Sequence, residues 1–292
     1  MSDDIQWGDY TEVGQRALAV RASLEGLGLS YVSASQIGMY QRCPRQWAYR
    51  YVLGLKVPPD GGLIVGSGVH HAAELGMLAK RDQGVEPTAE AAMDNARDYI
   101  ANEVATGEVR MEDSNEGELV DKAARLAKLW ANHAAPGVEP VGVEERFDEV
   151  VAGVPVMGRM DVTTEDALID WKTSKRSPTI ADLWKRPQVE LYAAVKPQLA
   201  VTFVFIVDSP RVQKVVPVTL DAEEAATARR MAEATVADVS EGMALGVWPR
   251  NRDGWHCSPR WCGYYNRCMA GKDDSELADR AMACRAAADA AG

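Results

Sequence analysis

The period of the apolar pattern changes once along this chain, and that change restricts it to a layered α/β architecture. From Ser33 to about residue 134 the spacing is helical. A segment capped at Ser33-Ala34-Ser35 runs to about Leu53, and further helices cover roughly 67–82, 87–107 and 114–134, separated by Gly84, Gly107 and Pro136-Gly137. Beyond residue 140 the runs shorten and become β-branched, so 141–150, 153–163 and 167–173 read as strands. Val201–Val207 is almost continuously apolar, as a strand buried on both faces needs, and Val212–Leu220 is another strand. A helix lies within 179–196, kinked or restarted at Pro187; a second spans 221–245, and an amphipathic helix follows Lys272. Residues 1–30 read as a helix with a polar start. The order implies a mixed central sheet flanked by helices. Residues 1–140 form a helical part, 141–247 a sheet-bearing core and 248–292 a C-terminal region, all in one integrated domain.

The segment GRMDVTTEDALIDWKTSK (158–175) carries the densest chemical information. A two-residue turn at Glu165-Asp166 pairs Thr164 with Ala167, Thr163 with Leu168, Val162 with Ile169 and Asp161 with Asp170. Directly opposed side chains have Cβ atoms roughly 4.5–5.5 Å apart, close enough for two carboxylates to share one hard cation. Lys172 points to the same face as Asp170 because strand side chains alternate. Without a cation the opposed acids repel, and the bland reading is two strand-end surface acids and a surface base. Elsewhere, GSGVHHAAELG (66–76) sets His70 and Glu74 one turn apart on a helix, and Gln188 and Tyr192 share a helix face at i and i+4.

The net charge of −11 taken as a total argues against a polyanionic partner, but its distribution reverses that inference. Ser33–Lys56 holds Arg42, Arg45, Arg50 and Lys56 without an acid. Lys172–Arg186 holds five bases against Asp182, and Gly246–Cys268 four arginines against Asp253. The three windows carry +11, leaving −22 elsewhere, and such islands suit a local phosphate-binding surface. No apolar run is long enough for a membrane span, and the acidic, polar start is unlike a secretory signal, so the expected location is cytoplasmic.

Five cysteines are an odd count for a disulfide framework. Cys43 precedes a proline in CPRQWAYRYVLGL, and Cys257, Cys262 and Cys268 lie together in CSPRWCGYYNRC. Four cysteines, or three with His256, suit zinc; buried cysteines that only pack are the bland alternative. Cys284, in the tail helix, is expected to be no ligand.

Taken together, Asp161…Asp170-x-Lys172 on a hairpin resembles the PD-(D/E)xK nuclease superfamily, with Met160 in place of the proline of its name. Gly66–His70 resembles the Gly-x-x-x-His motif of the RecB-like branch, and Gln188–Tyr192 its Gln-x-x-x-Tyr motif. The N-terminal cysteine with three C-terminal ones is similar to exonucleases of the AddB type and their CRISPR-associated relatives, although C-x4-C is wider than the usual C-x2-C. The resemblance runs from Ser33 to Cys268. It implies a magnesium- or manganese-dependent deoxyribonuclease, exonucleolytic on single-stranded or frayed ends, with His70 (or its neighbour His71), Asp161 and Asp170 as metal ligands. Lys172 would be catalytic, Gln188 and Tyr192 would support it, and Glu144 or Glu145 would assist from outside the ligand set. Cys43, Cys257, Cys262 and Cys268 would hold a [4Fe–4S] cluster. Phage DNA processing, recombination or CRISPR adaptation in a bacterial cytoplasm are the implied contexts, with protein partners from those systems. No Gly-x-x-x-x-Gly-Lys-[Ser/Thr] loop is present, so helicase activity is not expected. The rival reading is a catalytically silent DNA-binding scaffold with the same fold. The nuclease reading expects Asp170→Ala or Lys172→Ala to abolish cleavage and leave folding intact, and loss of Arg45 or Lys175 to weaken DNA binding.

Overall fold

The computed structural model describes residues 10–291 apart from 108, 112–114 and 210–211. Its element order is α1 (Tyr10–Gly26), α2 (Ala34–Arg42), α3 (Pro44–Tyr51), α4 (Gly61–Gln83), α5 (Ala89–Ala105), α6 (Glu116–His133), β1 (Gly142–Val151), β2 (Val154–Thr163), β3 (Ala167–Ser174), α7 (Ile180–Leu183), α8 (Pro187–Val195), β4 (Ala200–Asp208), β5 (Gln213–Thr219), α9 (Ala222–Ala244), α10 (Tyr265–Met269) and α11 (Asp274–Ala291). The first nine residues of the expected N-terminal helix lie outside the described residues.

Local chemistry explains most boundaries. Ser33, Asp60, Thr88 and Asn115 cap α2, α4, α5 and α6, each side chain accepting the N–H three residues on. Gly84 ends α4 at φ 67°. The helix expected from Ser33 to about Leu53 is broken at Cys43, whose extended backbone (φ −162°, ψ 104°) follows from Pro44. Pro187 likewise starts α8 afresh rather than kinking one long helix.

The five strands form one sheet in the order β1-β2-β3-β4-β5. β2 and β3 are antiparallel in the expected register, Val162 opposite Ile169 and Thr163 opposite Leu168. β3 and β4 are parallel, Asp170 beside Phe203 and Lys172 beside Phe205, while β4 and β5 are antiparallel. The parallel step needs a crossover, and α7 and α8 supply it. Ala152 and Gly153, at φ 49° and 74°, join β1 to β2 by the two left-handed residues of a type I′ hairpin.

The chain divides into two compact units, which cut across the three segments expected from sequence. One comprises Pro58–Phe147 and Arg159–Arg229. Its core packs α4, α5 and α6 against one sheet face through Val65, Ala72, Ile100, Leu126, Trp130 and Trp171. A Cβ on Gly76 would come within 2.8 Å of Trp130, so the close approach of α4 and α6 requires glycine there. The other unit takes Met1–Val57, Asp148–Gly158 and Arg230–Gly292. There Ser23 donates to the Cys284 carbonyl at 3.3 Å, and Val32 adds a parallel bridge to Val156. No helix among the described residues is long and apolar enough to cross a membrane.

Candidate active site and cysteine cavity

Within the first unit, α4, β1, β2 and β3 bring titratable side chains to one open cleft. Its lining includes His70, His71, Glu74, Glu144, Arg159, Asp161, Lys172, Arg186 and Gln188. His70, Glu144 and Asp161 each offer a ligand atom, and these atoms lie within 4.8 Å of one another. His70 Nδ1 is 3.2 Å from Asp161 Oδ2, and the same oxygen accepts the Trp171 backbone N–H at 2.8 Å. Burial opposes protonation of His70, but the adjacent Asp161 outweighs it and raises the imidazole above its ordinary range. The reciprocal balance lowers Asp161: burial would raise it, and His70, Lys172 and the Trp171 N–H overcome that. Glu144 is pushed up, first by burial and then by the negative charges of Asp161 and Glu74. Two carboxylates and an imidazole converging on one point, one of the acids raised by burial and then by its acidic neighbours, fit a divalent cation.

Glu144 reaches that point through its backbone. It sits mid-strand at φ 52°, a left-handed conformation that a non-glycine residue rarely adopts. Such backbone strain clusters at functional sites. Glu145, the alternative in sequence, instead accepts from Thr163 Oγ1 at 2.9 Å.

Asp170 stands outside the trio. Its carboxylate is wholly buried, with Lys172 Nζ 2.5 Å from Oδ2 and Tyr192 Oη 3.0 Å from Oδ1. Gln188 Nε2 lies at 3.5 Å from the same Oδ1. Burial and the Asp161 charge raise Asp170 even though Lys172 pulls it down. Burial, followed by the charges of Asp170 and Asp161, holds the Tyr192 phenol far above its usual range, so it remains a neutral donor. His71 lines the same cleft outside the trio, 3.8 Å from Glu74 and against Tyr99. Sequence reading missed Arg186. Its guanidinium lies 5.6 Å from the Phe205 ring centroid, its buried Nε has no hydrogen-bond partner, and no carboxylate pairs with it among the described residues. Its basic window was the one available signal.

In the second unit, Cys43, Cys257, Cys262 and Cys268 line one cavity with Arg45, Tyr49, Arg250 and His256. Contacts between the segments around residues 45–55 and 248–264 assemble it. Trp47 packs on Trp248, Tyr49 stacks on Tyr264, and Tyr264 Oη donates to the Leu55 carbonyl at 2.7 Å. Arg250 Nε donates to Cys268 Sγ at 3.3 Å. Burial, and then repulsion from the other three cysteines, raises the Cys262 thiol. No three of these thiols, with or without His256, lie within 4.8 Å of one another among the described residues. Cys284 is buried in α11, outside this cavity. Several bases of the three windows are ion-paired, two to each acid: Arg45 and Arg250 share Asp274, and Arg176 and Lys185 share Asp182, so each group keeps one net positive charge. Arg45, 16% exposed at its side chain, is held in place by its ion pair with Asp274.

The model of the PD-(D/E)XK nuclease superfamily matches residues 31–269, so the chain belongs to that superfamily. Members are metal-dependent nucleases, and the fold and acidic site agree with that class. None of the curated proteins matches the sequence. A solved structure described as "Crystal structure of SSO0001" is similar at 14% identity and a TM-score of 0.38, covering 87% of this chain and 94% of that one.

Proposed function

We propose that this protein is a magnesium- or manganese-dependent deoxyribonuclease that degrades DNA from single-stranded or frayed ends. The observation that supports this most directly is the convergence of His70, Glu144 and Asp161 beside the Asp170–Lys172 pair. His70, Asp161 and Glu144 would hold the ion. Asp170, engaged by Lys172 in this structure, would be a further ligand to the ion only if that contact were given up. A bound divalent ion generates the nucleophile at neutral pH and screens phosphate charge. Lys172 stabilises the charge developing on the phosphoryl oxygens, while Tyr192 and Gln188 keep Asp170 oriented. Arg186, preorganised on Phe205, lines the cleft as a second cation for the DNA backbone.

The four cysteines that line one cavity are proposed to hold a [4Fe–4S] cluster. Tetrahedral zinc at roughly 2.3 Å from each sulfur needs thiols about 3.8 Å apart. The choice of an iron–sulfur unit over zinc rests on the motif resemblance and on four soft thiolates lining one cavity. RecB-like descent and a role in phage recombination or CRISPR adaptation rest on motif resemblance.

End-labelled single strands, blunt duplex and circular single strands incubated with manganese, magnesium or EDTA test the reading. Metal-dependent release of nucleotides from linear strands, lost in Asp161→Asn, is expected. Absence of cleavage on every substrate would leave the scaffold reading in its place.

A further inference from the structure

The C-terminal region displays two indoles that the fold leaves in water. Trp255 and Trp261 are 74% and 50% exposed, although the same chain buries Trp47, Trp130 and Trp171 completely and Trp248 almost so. They meet edge to face, centroids 5.4 Å apart and planes at 85°. The Arg260 guanidinium lies 5.2 Å from the Trp261 centroid, and Arg252 is exposed nearby in sequence. Both tryptophans belong to the second unit, outside the metal-binding cleft of the first.

We propose that Trp255 and Trp261 form a stacking platform for unpaired bases of single-stranded nucleic acid, with Arg260 and Arg252 facing its sugar–phosphate backbone. Every base offers a flat π face, so aromatic stacking holds a strand without reading its sequence. The arginines decide the sign of the partner. Of the four arginines in Gly246–Cys268, Arg250 pairs with Asp274 and Arg267 with Asp273; Arg260 over Trp261 and the exposed Arg252 nearby in sequence favour a polyanion over an apolar protein surface. The near-perpendicular indoles suit a flexible single strand, whose bases can splay apart, better than a duplex, whose bases are already stacked. The proposal deepens the nuclease reading by naming a substrate with unpaired bases, and it rests on that reading only for its purpose.

The test is fluorescence anisotropy of the full chain in EDTA with two labelled strands of equal length, one of thymidines and one of abasic spacers. Trp255→Ala should weaken thymidine-strand binding by about fivefold to 150-fold, the usual worth of a stacked base. Binding of the abasic strand should not change, and Trp255→Phe should recover most of the loss. The proposal fails if the wild type binds both strands equally, or if Trp255→Ala and Trp261→Ala both bind thymidine strands normally. It also fails if those variants lose only binding to anionic phospholipid vesicles. Manganese cleavage of the same strand separates the two readings. A wild type that cuts while the variants bind normally refutes the platform alone. One that binds by its bases but never cuts refutes the nuclease alone.

Discussion

Replacing Lys172 by methionine keeps the stem and deletes the charge that faces Asp170. Among the described residues, a carboxylate of zero exposure is then hydrogen-bonded only by Tyr192 and Gln188, both neutral. Stranding one partner of a buried ion pair costs about 3–5 kcal/mol. At roughly 2–4 °C per kcal/mol, the melting temperature in EDTA should fall by about 6–20 °C. Folding is therefore not expected to be spared, contrary to what the sequence motif suggests. The loss should depend on pH with a definite sign. Burial and Asp161 already raise the Asp170 carboxyl, and removing Lys172 removes a lowering influence. An acid raised in the folded state binds its proton more tightly there than in the unfolded chain. Stability is then fully present below the unfolded value near about 4 and declines as pH rises to the folded value. The variant should accordingly be less impaired at about pH 5 than at about pH 8. Cleavage with manganese should fall by at least roughly 10²–10³-fold. Thermal unfolding at both pH values and initial rates on a labelled strand measure the two effects. A melting loss equivalent to less than about 1 kcal/mol, equal at both pH values, would refute the buried-pair argument. Wild-type cleavage would refute the role of Lys172.

Glu144→Gly should relieve the left-handed strain and one like-charge contact, leaving the melting temperature unchanged or higher by about 1 kcal/mol equivalent, while manganese affinity by titration calorimetry falls at least tenfold. His70 is raised by Asp161, so protons compete with the cation: manganese affinity should drop as pH falls through the imidazole's raised range, and His70→Ala should flatten that dependence. Cys43→Ser should release iron from anaerobically purified protein and lower its melting temperature, because the ligand closes a loop of more than two hundred residues; Cys284→Ser should do neither, and stoichiometric zinc without sulfide would replace the cluster with a different centre.

Local rules decided much of this protein before any tertiary contact. The capped starts at Ser33 and Asn115, the restart at Pro187 and the register that sets Val162 opposite Ile169 all follow from side chains within a few residues. The placing of Asp161, Asp170 and Lys172 on one hairpin was legible for the same reason, since a two-residue turn and strand alternation bring them together. Tertiary structure alone decided which acids face one another. Glu144 joins His70 and Asp161 with its backbone in the left-handed region, which no local propensity of glutamate favours. Asp170 is tied to Lys172 because β3 is covered on both sides, and burial makes that neutralisation obligatory. Arg45 and Arg250 read as free positive charge in the sequence, yet Asp274, more than twenty residues from either, pairs with both. Burial and long-range pairing depend on the whole chain's path, so a linear reading locates the charges but cannot say which of them remain available for DNA.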